Sequence, residues 1–143
     1  MTILDANVLL HAYNLDAPQQ KSAAQWLTSL IESGTDIGLP WVTIWAFIRV
    51  STNSRVWPNP QPAEKAFGII ADWLQQPGVV TINPGPHHSE ILERLVREFG
   101  AVGPLVTDAV LAALAMEYGA LLASSDQDFR RFPDLRWINP LSD

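Results

Sequence analysis

The chain has 143 residues, and cysteine is absent from them. This length suits one domain with a core of its own, and the lack of thiols excludes a disulfide framework, a thiolate zinc site and a cysteine nucleophile. Nine Lys and Arg against 15 Asp and Glu give a net charge of -6, the opposite sign to that of a protein whose whole surface binds nucleic acid or an anionic membrane.

The sequence shows no signal for membrane insertion or export. The longest uninterrupted apolar run, residues 109–116, is far shorter than the ~20 residues of a membrane-spanning helix. The opening residues lack the basic segment and apolar core of a signal peptide. We therefore expect a soluble, cytoplasmic protein that forms a single domain over residues 1–143 and does not bind a membrane.

The first half of the chain is predicted to form one strand followed by helices. A short β-type run over Thr2–Leu4 precedes a helix over Ala6–Tyr13, whose apolar residues fall on one face. The next helix, over residues 18–34, begins at a proline and ends at a glycine. Residues 39–49 suit a strand or a helix, and their non-alternating apolar spacing favours a helix. A proline-rich loop over residues 51–62 follows.

Strands and helices alternate through the second half. The predicted elements are, in order, helix 62–77, strand Val79–Ile82, helices 87–99 and 107–118, and strands 120–123 and 135–138. The helix over 107–118 is apolar nearly all round, which indicates burial. Short strands that alternate with longer helices predict a three-layer α/β/α sandwich around a central, mostly parallel sheet.

Four aspartates fall where such a sheet brings side chains to one edge. Asp5 directly follows the first strand, and Asp126 and Asp128 follow the strand at 120–123. Asp108 lies in the first turn of the helix that precedes that strand. Because open parallel sheets bind ligands beyond the carboxyl ends of their strands, we expect these four side chains to converge.

Each aspartate also has an ordinary structural explanation. Asp5 suits a helix cap, Asp108 a first helical turn, and Asp126 and Asp128 suit turns. These roles do not explain why four acids share one edge without a basic partner nearby in the sequence. Clustered carboxylates raise one another's pKa unless a cation holds them, and oxygen ligands select a hard ion such as Mg²⁺ or Mn²⁺. Such an ion suits phosphoryl chemistry.

A candidate RNA-binding stretch occupies residues 37–63, which contain no acid. Arg49 and Arg55 supply positive charge there, and Trp57 supplies a ring that can stack on a base. The alternative is a solvated loop whose tryptophans cover the core. Arg130 and Arg131, which follow Asp128 closely, can also reach a phosphate.

Several segments together resemble one known family. Motifs of PIN domains are similar to ILDANVL at residues 3–9, VTDA at 106–109 and LASSDQDF at 122–129. The likeness also includes FIRVSTN at 47–53 and NPL at 139–141, so it covers nearly the whole chain. It is strongest to the VapC toxins of bacterial type II toxin–antitoxin pairs.

The resemblance implies a Mg²⁺- or Mn²⁺-dependent endoribonuclease that forms a homodimer and is inhibited by a cognate VapB-like antitoxin. RNA is then the substrate. Carried over by position, the catalytic and metal-binding acids are Asp5, Asp108 and Asp126, the further metal ligand is Asp128, and the supporting residues are Asn7 and Ser124.

One position departs from the family pattern. PIN domains commonly have a glutamate on the helix after the second strand, and Ala46 stands at the matching position. Either one carboxylate ligand is missing, or Asp128 or water takes its place, so the residues present support one metal site more than two. The departure keeps open an alternative function, a weakened PIN module that binds RNA or a protein partner without cleavage.

A receiver-type signalling domain also collects acids at the ends of its strands. That class expects adjacent acids after the first strand and a lysine near the last one. Here Ala6 follows Asp5, and the only lysines are Lys21 and Lys65. The sequence therefore disfavours this class.

Overall fold

The computed structural model describes residues 1–141 and is built on one β-sheet. The five strands are, in chain order, β1 (Thr2–Leu4), β2 (Ile37–Pro40), β3 (Val79–Ile82), β4 (Leu121–Ala123) and β5 (Trp137–Ile138). They lie in the order β3-β2-β1-β4-β5, and every neighbouring pair is parallel. The carboxyl ends of β1 and β4, which lie side by side, therefore meet at one edge.

Helices cover both faces of the sheet. They are α1 (Ala6–Tyr13), α2 (Gln20–Glu32), α3 (Trp41–Ser51), α4 (Ala63–Gln75), α5 (His88–Phe99) and α6 (Val106–Glu117), with 3₁₀ turns at Gly103–Leu105 and Gln127–Arg131. Successive strand residues point to opposite faces, so Leu4 packs in the core formed by α1 to α4, whereas Ile3 packs in the core formed by α5 and α6. The predicted three-layer α/β/α sandwich is confirmed, and its sheet is entirely parallel.

The prediction of a single helix over residues 39–49 is wrong at its start. Leu39 and Pro40 belong to β2, and α3 begins only at Trp41. Pro40 is extended, with φ of -62° and ψ of 146°, and it is both the last strand residue and the cap of α3. The strand runs into the helix without a loop, so one apolar stretch of sequence contains the end of a strand and the start of a helix.

Helix α6 packs beside α5 on one face of the sheet. Its alanines at positions 109, 112, 113 and 115 are fully buried, which lets the helix pack closely against the sheet and α5. Burial all round agrees with the prediction from its composition. Within residues 1–141, no helix has the length and apolar character needed to cross a membrane.

Side chains of the neighbouring strands pack closely against the backbone of Gly38 in β2. A Cβ atom at this position would lie 2.7 Å from Cγ1 of Ile82 and 3.0 Å from Cγ1 of Ile3. We expect Gly38→Ala to lower the free energy of unfolding by about 1–3 kcal/mol, because overpacking forces neighbouring side chains off their rotamers. Urea denaturation measures this loss.

The matched control is Gly68→Ala on the exposed side of α4. A Cβ atom there meets nothing within 4 Å, and alanine is better than glycine inside a helix by roughly 0.5–1 kcal/mol. The control should therefore be at least as stable as the unchanged protein. Equal destabilisation in the two variants would contradict the packing argument.

Candidate active site

The candidate site lies where β1 and β4 end. The backbone N–H of Asp5 donates to the carbonyl of Ala123, the last residue of β4 (3.0 Å). The chain leaves β4 at Ser124 and turns back at Asp126, while Asp108 lies in the first turn of α6. The sheet register thus brings residues that are far apart in the sequence to one edge.

A hydrogen-bond network joins the two strand ends. Ser124 Oγ donates to Oδ2 of Asp5 (2.7 Å) and accepts from Nδ2 of Asn7 (3.0 Å). Asn7 Nδ2 also donates to Asp5 Oδ2 (3.1 Å), and Asn7 Oδ1 accepts from the N–H of Ser125 (3.1 Å). Ser124 is fully buried. The two residues predicted as supports, Asn7 and Ser124, therefore both contact Asp5.

The tightest group of acids consists of Asp108, Asp126 and Asp128. Each offers a carboxylate oxygen, and these oxygens lie within 4.8 Å of one another. The Asp126 N–H donates to Ser124 Oγ (3.0 Å), and the Asp128 N–H donates to Oδ1 of Asp126 (2.9 Å). Asp5 lies outside this group but interacts electrostatically with Asp108 and Asp126. The structure thus brings all four predicted acids to one edge.

The ordinary structural roles of these acids are present as well. Asp5 Oδ1 accepts from the N–H of Ala6 and caps α1 (2.7 Å), and Asp126 caps the 3₁₀ turn Gln127–Arg131. A carboxylate has about four acceptor positions, so these contacts leave capacity for a cation. Capping and metal binding are compatible here, and the first does not argue against the second.

The acids oppose one another's ionisation. The pKa of Asp108 is raised to about 6, first by burial and then by the negative charges of Asp126, Asp5 and Asp128, with Arg131 acting in the opposite direction. Burial also raises the pKa of Asp5, against the hydrogen bonds that its carboxylate accepts. At neutral pH the edge therefore carries unfavourable negative charge, which a bound cation relieves.

Arg131 lies beside this cluster. Its Nε donates to the carbonyl of Asp128 and its Nη1 to the carbonyl of Phe99, both at 3.3 Å. Among residues 1–141, neither it nor another basic residue forms an ion pair with the four aspartates. The guanidinium is held by backbone carbonyls, so the carboxylates remain free. The sequence predicted phosphate contacts for both Arg130 and Arg131, and Arg130 is exposed.

The residues of the predicted RNA-binding stretch have different environments. Arg55 is exposed in the loop between α3 and α4, and Arg49 is exposed on α3, where it lines an apolar groove with Trp45 and Phe67. Trp57 is only 4% exposed. So little of the side chain is accessible that its burial favours the alternative prediction, in which this tryptophan covers the core.

Helix α3 contributes no carboxylate to the site. Thr43 Oγ1 donates to the carbonyl of Leu4, the residue before Asp5 (2.7 Å). Ala46 follows three residues later and so lies on the same side of α3. No residue of Trp41–Ser51 is acidic, so the position that holds the usual glutamate of PIN domains offers only a methyl group.

A parallel sheet with acids gathered beyond the carboxyl ends of adjacent strands defines an α/β domain with an acidic ligand site. The sequence model of the PIN domain matches residues 2–135. The chain belongs to the PIN-domain family.

Curated relatives of similar length are ribonucleases by name. Ribonuclease VapC37 of Mycobacterium tuberculosis is 41% identical over 140 residues, which are 98% of this chain and 97% of that protein. Ribonuclease VapC33 of the same species is 39% identical over 141 residues, 99% of each chain.

Solved structures share the fold over nearly the full length. VapBC2 from Rickettsia felis, bound to a DNA fragment from its promoter, contains a chain that matches with a TM-score of 0.72 at 18% identity, covering 96% of this chain and 97% of that one. VapBC-1 from nontypeable Haemophilus influenzae also matches with a TM-score of 0.72, at 14% identity, over 99% and 98% of the two chains.

The raised pKa of Asp108 predicts a pH-dependent stability. Between its ordinary value of 3.8 and about 6, the folded chain holds a proton at Asp108 that the unfolded chain releases. The free energy of unfolding therefore falls as pH rises through this window. Asp108→Asn removes that loss, so above pH 6 and in EDTA the variant should melt at a higher temperature than the unchanged protein.

Thermal melts at about pH 5 and about pH 7.5 measure this difference, with Asp72→Asn on the exposed face of α4 as the control. Mn²⁺ should raise the melting temperature of the unchanged protein at the higher pH, since a ligand of the folded state stabilises it. It should have little effect on Asp108→Asn. The same pH dependence in the unchanged protein and Asp108→Asn would contradict the assignment.

Proposed function

We propose that this chain is the toxin of a type II toxin–antitoxin pair. In this proposal it is an endoribonuclease that hydrolyses RNA phosphodiester bonds with Mg²⁺ or Mn²⁺ and is neutralised by a cognate VapB-like antitoxin. The observation that carries the proposal is the convergence of four aspartates at one sheet edge. It is supported by 41% identity to a named ribonuclease over nearly the full length.

The donor set fits a hard divalent cation. The four aspartates offer only oxygen, and the chain has no cysteine that could offer sulfur. Oxygen donors favour Mg²⁺ or Mn²⁺, and the mutual repulsion that helps to raise the pKa of Asp108 favours any cation at this edge. Such an ion, when bound, lowers the pKa of a water molecule and neutralises charge on phosphate oxygens.

The protein's own residues orient the reacting groups. Asn7 and Ser124 hold Oδ2 of Asp5, so this carboxylate keeps one orientation toward the edge. Asp108 lies in one group with Asp126 and Asp128, where its carboxylate would hold the cation that activates the attacking water. The guanidinium of Arg131 lies beside the cluster, where it can donate to a phosphate oxygen.

Asp128 takes the place of the missing glutamate in this proposal. Its carboxylate lies in the same group as those of Asp108 and Asp126, whereas Ala46 supplies no oxygen on the α3 side. Three clustered acids with Asp5 beside them are enough for one cation, and we propose a single metal ion. This arrangement favours catalysis over the alternative of a PIN module that binds without cleavage.

The partners follow from charge and family. An acidic chain with a net charge of -6 complements a basic segment of an antitoxin, and VapBC complexes are among its structural neighbours. We extend the proposal to a homodimer in the cytoplasm. Arg49 and Arg55, on the segment without acids, are the proposed contacts to the RNA backbone.

RNA cleavage tests the function directly. The purified protein should cleave a mixed RNA pool with Mg²⁺ or Mn²⁺ and not with EDTA. Asp5→Asn and Asp108→Asn should each slow cleavage by roughly 10²-fold or more, because each removes a carboxylate that holds the cation, and the cation stabilises the charge of the transition state. Asp72→Asn, an exposed acid on α4, should cleave at the normal rate. Cleavage that persists in EDTA would contradict the metal mechanism. RNA binding without any cleavage would support the alternative function, a PIN module that binds RNA without cleaving it.

The basic contacts are tested by salt dependence. Arg55→Ala should raise KM and reduce the slope of log KM against log salt concentration by about 0.7, the value for one lost phosphate contact on a single strand. Arg97→Ala is the control, because Arg97 lies on α5 and pairs with Glu93. An unchanged slope in Arg55→Ala would remove this residue from the RNA interface.

A further inference from the structure

A cavity of about 430 Å³ adjoins the candidate active site. Helix α1 forms one wall through Asn7 and His11, which share one face because they are four residues apart, and Asn14 directly follows the helix. The loop between α3 and α4 forms the opposite wall through Val56 and Trp57. We call this cavity the α1 pocket. Its volume lies within the ~300–1,000 Å³ that is usual for small-molecule sites.

Asn7 connects the pocket to the acids. Its side chain lines the pocket and also donates to Asp5 Oδ2 and Ser124 Oγ. A nucleotide whose phosphate lies against the acidic edge therefore has the pocket beside it, along α1. Because Asn7 uses both ends of its amide in the network, the groups left to recognise a ligand lie further along α1.

His11 is the group in the pocket that lacks a partner. It is half-buried, and its ring forms no hydrogen bond within the part of the chain that the structure describes. Burial lowers its pKa, which keeps the ring neutral with one donor and one acceptor nitrogen. Asn14, one turn further, uses Oδ1 to accept from the N–H of Asp16 (3.1 Å), so its amide nitrogen remains for a ligand.

The lining suits an uncharged aromatic group better than a phosphate. No lysine or arginine lines the α1 pocket, and its one charged residue is the acid Asp16, whose Oδ2 accepts from Asn59 (2.7 Å). The remaining walls are apolar, with Leu10 on α1 and Val50 and Trp57 opposite. A flat ring between apolar walls, with hydrogen-bonding atoms at its edge, matches this arrangement.

We propose that the α1 pocket binds the base of a nucleotide next to the scissile phosphate, and that His11 and Asn14 select this base by hydrogen bonds to its edge. This inference rests on the proposed ribonuclease function and deepens it, since it assigns the source of sequence preference. In this arrangement the charged phosphate lies at the aspartate edge. The uncharged base of the same nucleotide lies in the mainly apolar α1 pocket.

Cleavage kinetics test the selection. Short oligoribonucleotides that differ only in the bases flanking the cleaved bond should show a base preference with the unchanged protein. His11→Ala should raise KM for the preferred base by roughly tenfold, the effect of one lost hydrogen bond, and should flatten the preference while kcat changes by less than about twofold. His11→Asn, which keeps a donor and an acceptor, should recover part of the preference. His87→Ala, an exposed histidine beside α5, should behave as the unchanged protein.

A binding experiment separates this inference from the ribonuclease function. The four nucleoside 5′-monophosphates, added singly at millimolar concentration, should shift the NMR signals of the His11 ring to different extents. Shifts without RNA cleavage would support base binding and contradict the ribonuclease function. RNA cleavage with unchanged preference in His11→Ala, or no shift with any nucleotide, would overturn the pocket assignment and leave the function intact.

One further outcome distinguishes RNA from a protein occupant. If His11→Ala and Asn14→Ala keep normal RNA kinetics but resist inhibition by the antitoxin, the pocket holds a protein segment. That result would overturn the proposal of a base-binding site.

Discussion

The candidate site depends on the hydrogen bond from Ser124 Oγ to Oδ2 of Asp5. It joins residues 119 positions apart in the sequence, and the sheet register makes it possible. Leu4 pairs with Ala123, so the residues that follow them, Asp5 and Ser124, lie side by side where the two strands end. The same buried hydroxyl accepts from Asn7 and from the Asp126 N–H. The Ser124 Oγ atom thus forms hydrogen bonds with the Asp5 side chain, the Asn7 side chain and the backbone of Asp126. Leaving any of these groups unpaired would cost stability.

This arrangement places the energetic cost of the site at one edge. Four carboxylates meet where hydrogen bonds hold their backbone in place, and their repulsion is opposed elsewhere by the packing of α6 and by the core on the other face. Burial and the repulsion between the carboxylates together raise the pKa of Asp108. A protein that relaxed the edge by replacing an acid would gain stability and lose the donor set for a cation, the trade-off common at functional sites.

The sequence was sufficient for the fold class and for the convergence of the acids, because both follow from alternation of elements and from strand ends. It was insufficient for β2, whose four residues run directly into α3 and contain a glycine and a proline that weaken the strand signal. It left Trp57 open between stacking on a base and covering the core, since the burial of a loop side chain depends on how the loop packs in the folded chain. The clustering of the acids was enough to predict a hard cation, whereas the division of catalytic, ligand and supporting roles among the residues came from the family resemblance.

The net charge of -6 and the proposed affinity for RNA are compatible because the two signs occupy different regions. The acids with a proposed role lie at one edge, where a cation offsets them, while residues 37–63 contain no acid. Interactions between exposed charges beyond about 8 Å are largely screened at physiological salt. An acidic protein therefore gains no long-range attraction for RNA and must obtain its binding energy from short-range contacts. Among short-range contacts, those to the base edges distinguish one sequence from another, whereas backbone contacts and long-range attraction do not. The overall charge that argues against general RNA binding thus favours selective binding.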